Sequence, residues 1–116
     1  RAMLDCGVTT ALENPEPSRS DCHAWSAHPA YHAVASLAGI RPAAPGFRQI
    51  SIRPLPAVFP HLAGEVPHPA GGAVGFDLDF TGKRFHITLP PGCEGNFEYA
   101  AQCFELRPGA NSGSWK

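Results

Sequence analysis

The sequence VGFDLDFT at residues 74–81 alternates apolar side chains with glycine, acidic and hydroxyl-bearing residues. Successive side chains of a β-strand point to opposite faces, so this period of two predicts a strand with one buried face and one wet face. The sequence TGK at residues 81–83 predicts a tight turn, and Phe85, Ile87 and Leu89 then resume the alternation. Strands with one apolar face are typical of antiparallel sheets that pack face to face.

Further alternating stretches occur on both sides of these two strands. Their apolar positions are Ile50, Ile52, Phe97, Tyr99, Phe104 and Leu106. An additional edge strand is expected over residues 62–66. Roughly six strands at spacings of about 8–12 residues predict a mainly β protein, a small antiparallel β-sandwich. The tail from Gly109 to Lys116 is expected to be frayed.

The first 43 residues lack this alternation and contain loops and a predicted helix. Ser26 is a suitable N-cap for that helix, and Gly39 is a suitable end. The residues of its apolar face, at near-helical spacing, are Ala27, Tyr31, Val34 and Leu37. Two prolines predict a stiff connector over residues 41–46. The change of pattern divides the chain into residues 1–43 and residues 44–116.

Composition limits the possible classes of function. The chain has 116 residues, and its 13 prolines and 12 glycines favour short segments over long helices. A net charge of −1 gives no electrostatic reason to expect nucleic acid or an anionic membrane as a partner. The sequence contains no apolar run of the roughly 18 residues that a transmembrane helix needs. The cellular compartment stays open.

Metal binding is not favoured by the spacing of the candidate ligands. The four cysteines, at positions 6, 22, 93 and 103, lack the short spacing of metal ligands. A disulfide between Cys93 and Cys103 across a hairpin remains open. His28 and His32 stand four residues apart, but no third ligand follows at a fixed offset. Asp77 and Asp79 point outward from a strand and are interpreted as its wet face rather than as a calcium site.

Three motifs give the sequence a resemblance to a known family. They read TTALE at residues 9–13, SDCHAWSA at residues 20–27 and GIRPAAPGF at residues 39–47. In this order they resemble the C-terminal end of the bacterial α-L-rhamnosidases, a family of inverting glycoside hydrolases. The resemblance implies that residues 1–43 are the last loop and helix of a catalytic (α/α)6 barrel. It implies that residues 44–116 are the C-terminal β-sandwich domain.

The resemblance also implies roles for individual residues. Glu13 would be the catalytic base that activates water, although Glu16 is close enough to take that role instead. His23 would contact the sugar, and Trp25 would support the sugar pocket. The general acid would lie upstream in the barrel, so the isolated chain is expected to be inactive and to self-associate. The implied partners are a rhamnose-containing glycoside and the upstream barrel, with no cofactor.

Two other functions are open for the same sequence. The chain could be a carbohydrate-binding module, or a purely structural accessory β-sandwich. A binding module is expected to display aromatic side chains on one exposed face. The strand aromatics Phe76, Phe80, Phe85 and Phe97 fall on the inward phase of the alternation, which disfavours the binding module.

Overall fold

The computed structural model describes residues 2–5, 7–14, 19–20, 22–24, 28–55 and 59–116. These residues form two units, Arg1–Ala33 and Val34–Lys116. The assignment of residues 1–43 to a catalytic barrel and of residues 44–116 to a β-sandwich domain stays a prediction. Within the described ranges, no helix is long and apolar enough to cross a membrane.

The second unit is a β-sandwich of two four-stranded sheets. Its strands are β1 (Ile40–Pro42), β2 (Gln49–Ile52), β3 (His61–Pro67), β4 (Ala73–Asp79), β5 (Arg84–Leu89), β6 (Glu94–Tyr99), β7 (Gln102–Leu106) and β8 (Gly109–Ser114). One sheet has the order β1-β2-β6-β7 and the other has the order β3-β4-β5-β8. All neighbours are antiparallel except β2 and β6, which are parallel. The prediction of a small, mainly antiparallel β-sandwich is confirmed.

The core lies between the two sheets and follows the alternation of the sequence. Val74 and Leu78 of β4 are buried, whereas Asp77 between them is exposed. On β5 every second residue is buried, beginning with Phe85. The fully buried residues contributed by the other sheet include Ile50, Ile52 and Phe97. The predicted edge strand over residues 62–66 is confirmed as β3.

The helical segments are short. Helix α1 (Ala2–Asp5) is one turn long, and helix α2 (His28–His32) is followed by a π-helical turn at Ala33–Leu37. Gly39 then has a φ of +69°, and a Cβ there would come within 1.9 Å of the Arg53 carbonyl oxygen. The last helical turn ends at Leu37, and the positive φ of Gly39 places it at the left-handed closing position predicted for it. Its predicted N-cap, Ser26, lies outside the described residues, as does Ala27.

The prediction of a stiff connector over residues 41–46 was wrong for its first two residues, because Arg41 and Pro42 belong to β1. β1 lies at the edge of its sheet, where a proline can be accommodated because one side of the strand forms no ladder.

The large apolar side chains that remain exposed in the described residues are Leu4, Tyr31, Leu55 and Phe59. Self-association of the isolated chain stays a prediction.

The expectation of a frayed tail was wrong. Residues 109–114 form β8, which pairs with β5 from Leu89↔Gly109 to Arg84↔Ser114. The Asn111 amide donates to the carbonyl oxygen of Arg107 (2.8 Å), and its side-chain oxygen accepts from the Arg107 N–H (2.9 Å). Trp115 then enters the core and is only 5% exposed. The sequence GANSGS has no apolar alternation, so periodicity could not predict this strand.

The hairpin between β6 and β7 has a strained turn. Ala100 and Ala101 connect the pair Tyr99↔Gln102, and their φ angles are +51° and +60°. Two-residue hairpin turns of this kind favour glycine at the second position, and a left-handed alanine costs about 1–2 kcal/mol. We expect Ala101→Gly to raise the free energy of unfolding by about 1 kcal/mol, measured by urea denaturation.

The matched control for this substitution is Ala110→Gly. Ala110 is an exposed alanine on β8 without a positive φ. There glycine only adds backbone entropy to the unfolded chain, so stability should fall by about 0.5–1 kcal/mol. A loss of stability in both variants would contradict a strained turn at Ala101.

Candidate functional site

The loops of the first unit bring the predicted base and the predicted sugar contact onto neighbouring backbone segments. The Glu13 N–H donates to the Ser20 carbonyl oxygen at 3.0 Å, and the His23 N–H donates to the Ala11 carbonyl oxygen at 2.7 Å. Leu12, between the two, is buried. These hydrogen bonds fix two irregular segments side by side without forming a regular strand pair.

Among the described residues, the guanidinium group of Arg19 holds the carboxylate of Glu13. Arg19 Nε donates to Glu13 Oε2 at 2.8 Å, and Arg19 Nη2 donates to Glu13 Oε1. The Glu13 side chain is only 2% exposed, whereas the Arg19 side chain is 79% exposed. A carboxylate removed from water needs a charged or hydrogen-bonding partner, and the planar fork of arginine matches its two oxygens.

This ion pair leaves the carboxylate with further capacity to accept hydrogen bonds. An ionised carboxylate has about four acceptor positions, and the fork of Arg19 occupies two of them. Each oxygen of Glu13 therefore keeps one acceptor position that Arg19 does not occupy. The two hydrogen bonds from Arg19 fix the orientation of the carboxylate plane.

His23 is half-buried in the same loop region. Trp25, the other predicted sugar contact, and Glu16, the alternative base, lie outside the described residues. The structure therefore brings Glu13 and His23 into one loop pair. The choice between Glu13 and Glu16, and the roles of His23 and Trp25, stay predictions.

Arg19 is the residue of this loop to which sequence reasoning gave no role. It follows Glu13 by six residues. In a helix or a strand, such a spacing would fix whether two side chains meet, but a loop has no such rule. The sequence shows one cation near three carboxylates, Glu13, Glu16 and Asp21, and does not say which of them it pairs with.

A second polar cluster lies on the outer face of the β3-β4-β5-β8 sheet. Nε2 of His61 lies 2.8 Å from Oδ1 of Asp77, and Nδ1 of His86 lies 2.7 Å from Oγ of Ser112. These contacts bridge neighbouring strands, as cross-strand pairs on a wet sheet face do. They give His61 and His86 partners that the sequence did not reveal.

Asp79, on the same face, has a pKa below its ordinary value of 3.8. The main cause is a hydrogen bond from the Gly82 N–H to Oδ1 (2.7 Å), followed by one from Arg84 Nη2 to Oδ2 (3.2 Å). Because folding lowers this pKa, Asp79 contributes to stability above about pH 4, and the contribution is lost as the pH falls below that. Protein groups therefore already bind the carboxylates of Asp77 and Asp79, consistent with the interpretation of a wet strand face.

No group of three or more His, Cys, Asp or Glu side chains is arranged to hold a metal ion within the described residues. The rings of His28 and His32 stack 5.9 Å apart. Cys22, Cys93 and Cys103 are free thiols, so the disulfide between Cys93 and Cys103 that the sequence left open does not form.

Cys93 is instead part of a buried polar contact with His68. The Cys93 sulfur lies 3.2 Å from Nε2 of His68, and the same nitrogen lies 3.0 Å from the Phe47 carbonyl oxygen. The Ala70 N–H donates to Nδ1 of His68 at 3.2 Å. Both ring nitrogens thus have partners, and this histidine ties together three loops of the sandwich.

Two solved structures share this fold. The α-L-rhamnosidase from Dictyoglumus thermophilum is 16% identical, with a TM-score of 0.69 over 95% of this chain. The α-L-rhamnosidase from Aspergillus terreus is 18% identical, with a TM-score of 0.67 over 96% of this chain. Because Aspergillus is a fungus, the structural likeness is not restricted to bacterial enzymes. At this level of identity, the likeness shows a common fold.

The chain spans only a small part of these two enzymes, 16% and 15% of their lengths. No model of a protein family matches the sequence, and no curated protein matches it.

Proposed function

We propose that this chain is the C-terminal portion of an α-L-rhamnosidase, which hydrolyses terminal α-L-rhamnosides with inversion. In this proposal, residues 1–43 contribute the last loop and helix of a catalytic (α/α)6 barrel. Residues 44–116 form the rest of the β-sandwich that follows the barrel, and its edge strand β1 lies at Ile40–Pro42. The observation that carries the proposal is the fold, since two α-L-rhamnosidases superpose on at least 95% of this chain.

Glu13 is the proposed catalytic base. In an inverting glycosidase, the base removes a proton from water while the water oxygen attacks the anomeric carbon from the face opposite the leaving group. A general acid gives its proton to the departing oxygen, and the two carboxyl groups stand about 6.5–9.5 Å apart. Support for Glu13 comes from its buried carboxylate, its fixed orientation and its remaining capacity to accept a proton.

His23 and Trp25 are the proposed contacts to the sugar. An imidazole can hydrogen-bond a hydroxyl group, and an indole ring presents an apolar face against which a sugar ring can pack. The general acid and the remaining pocket would come from the upstream barrel.

The experiment that tests the proposal uses the full-length product of the gene that encodes this chain. We expect that protein to release L-rhamnose from an aryl α-L-rhamnoside, and proton NMR of the early product to show the β-anomer. A full-length product without this activity, or a first product with retained configuration, would contradict the proposal.

The 116-residue chain alone is expected to release no rhamnose from the same substrate. It lacks a general acid and most of a pocket under this proposal, and one carboxylate cannot supply both halves of the reaction. The assay compares the purified chain with its Glu13→Gln variant at equal concentration. Release of rhamnose by the chain that disappears in the variant would contradict this expectation.

A purely structural role for the β-sandwich is the second candidate. Phe85 and Phe97 are buried, and Phe76 and Phe80 pack against the same core, as the sequence predicted. These aromatic side chains are therefore part of the core and do not form an exposed sugar-binding face. This favours a structural accessory domain over a carbohydrate-binding module. If the whole chain is a structural accessory domain, Glu13 does not meet a substrate, and Glu13→Gln should leave the activity of the full-length protein unchanged.

A further inference from the structure

The loop from Glu13 to Ser20 is closed twice, once through the backbone and once through side chains. The backbone closure is the hydrogen bond from the Glu13 N–H to the Ser20 carbonyl oxygen. The side-chain closure is the two-pronged ion pair between Arg19 and Glu13. The same glutamate therefore takes part in both, which fixes its main chain and its carboxylate together.

The two hydrogen bonds from Arg19 act on the last torsion of the Glu13 side chain. The last torsion of a glutamate side chain is broad, so an unpaired carboxylate samples many orientations of its plane. Two hydrogen bonds from one rigid guanidinium group fix that plane, whereas the ammonium group of lysine would act as a point charge. Arginine at position 19 is thus matched to holding an orientation and not only to neutralising a charge.

The burial of the two partners is unequal in a way that fits this role. The Glu13 side chain is almost wholly covered, and the Arg19 side chain remains mostly in water. A surface ion pair between two exposed side chains contributes little to stability, about 0–1 kcal/mol. Here the arginine reaches from the solvent side to a covered carboxylate and occupies one acceptor position on each of its two oxygens.

We propose that Arg19 is a positioning residue that sets the orientation of the Glu13 carboxylate toward the attacking water. This inference rests on the proposed function, because it assigns Arg19 a task in that reaction. Misplacing a reacting group by about 1 Å can cost on the order of 100-fold in rate. Arg19 would therefore act on the rate of the reaction step through Glu13, without touching the sugar.

The first test examines the ion pair in the free 116-residue chain by NMR. Hydrogen exchange at Nε of Arg19 should be at least about 10-fold slower than at Nε of Arg48, an exposed arginine whose side chain pairs with no carboxylate in the part of the chain that the structure describes. Glu13→Gln should remove that difference. Exchange at Arg19 as fast as at Arg48 in the unmodified chain would overturn the inference.

The second test compares Arg19→Lys, Arg19→Ala and the control Arg48→Lys in the full-length gene product. Arg19→Lys keeps the charge but not the fork, so kcat should fall about 10–100-fold while KM changes less than about threefold. Added guanidinium ion should restore part of the kcat of Arg19→Ala, since position 19 is open to water. Thermal unfolding of each variant shows whether the fold is intact, and Arg48→Lys should behave like the unmodified protein.

The outcomes separate this inference from the proposed function. If Glu13→Gln keeps full activity, the proposed base is wrong and the role of Arg19 falls with it. If Glu13→Gln is inactive but Arg19→Lys matches the unmodified enzyme in kcat, only the role of Arg19 is refuted. A purely structural role for Arg19 would lower thermal stability without the separate loss of kcat and without rescue by guanidinium ion.

Discussion

Replacing Glu13 by glutamine is expected to lower the kcat of the full-length gene product by about 10²–10⁴-fold, the usual contribution of a general base. Glutamine keeps the size of the side chain and can still accept one hydrogen bond from Arg19, but its amide cannot take a proton from water. KM should change little, because the lost interaction is made with the attacking water in the transition state. Initial rates on an aryl α-L-rhamnoside measure both constants.

The matched control is Glu105→Gln. Glu105 is an exposed glutamate on β7 of the sandwich, and its loss should leave kcat within about twofold, as expected for surface substitutions away from a site. Equal losses in the two variants would show that charge or folding, and not proton transfer, explains the effect.

Chemical rescue gives an independent check on the role of Glu13. In Glu13→Ala, a small anion such as azide can bond to the anomeric carbon without losing a proton, while the aglycone leaves with the proton of the general acid. The expected product is a rhamnosyl azide of inverted configuration. Full activity of Glu13→Ala without azide would contradict the assignment and would favour Glu16.

The sandwich was predictable from sequence because its strands carry their own pattern. Val74 and Leu78 are buried and Asp77 is exposed, as a period of two requires. The alternation is a local property, because it depends only on the residues of each strand and not on the rest of the chain. What it could not give was the pairing of the strands, including the parallel neighbours β2 and β6.

The last strand escaped prediction for a physical reason. β8 consists of small and polar residues, and its order comes from the backbone ladder with β5 and from the side chain of Asn111. The ladder depends on a distant strand and the Asn111 hydrogen bonds depend on the backbone conformation. Neither produces an alternation of apolar residues in the sequence. Trp115 was the one available signal, because a large indole at the end of a tail suggests burial.

The candidate site was predictable only in part. Glu13 and His23 were singled out by their resemblance to a family motif, and the structure adds that backbone hydrogen bonds hold their segments side by side. The ion pair with Arg19 depends on loop torsions, and no spacing in the sequence determines those. Contacts between irregular segments are thus the part of this site that sequence reasoning leaves open.

Phe97→Ala is expected to lower the free energy of unfolding by about 3–5 kcal/mol, a typical cost of removing a large aromatic side chain from a core. Phe97 is 0% exposed, and its ring centroid lies 4.6 Å from that of Phe85 on the opposite sheet and 5.8 Å from that of Trp115. Alanine would leave a cavity where the two sheets and the final tryptophan meet. Since small domains are stable by only about 5–15 kcal/mol, this one change should remove a large share of the total.

Urea denaturation of the 116-residue chain measures this loss, with Phe97→Leu as a milder variant in case Phe97→Ala fails to fold. Leucine keeps most of the apolar volume, so a smaller loss of about 1–2 kcal/mol is expected. Phe59→Ala is the matched control, because that side chain is 45% exposed and its removal should cost under about 1 kcal/mol. If Phe97→Ala cost no more than Phe59→Ala, the aromatic contact between the sheets would not be the centre of the core. The burial of Trp115 beside Phe97 would then contribute little to holding β8 in its sheet.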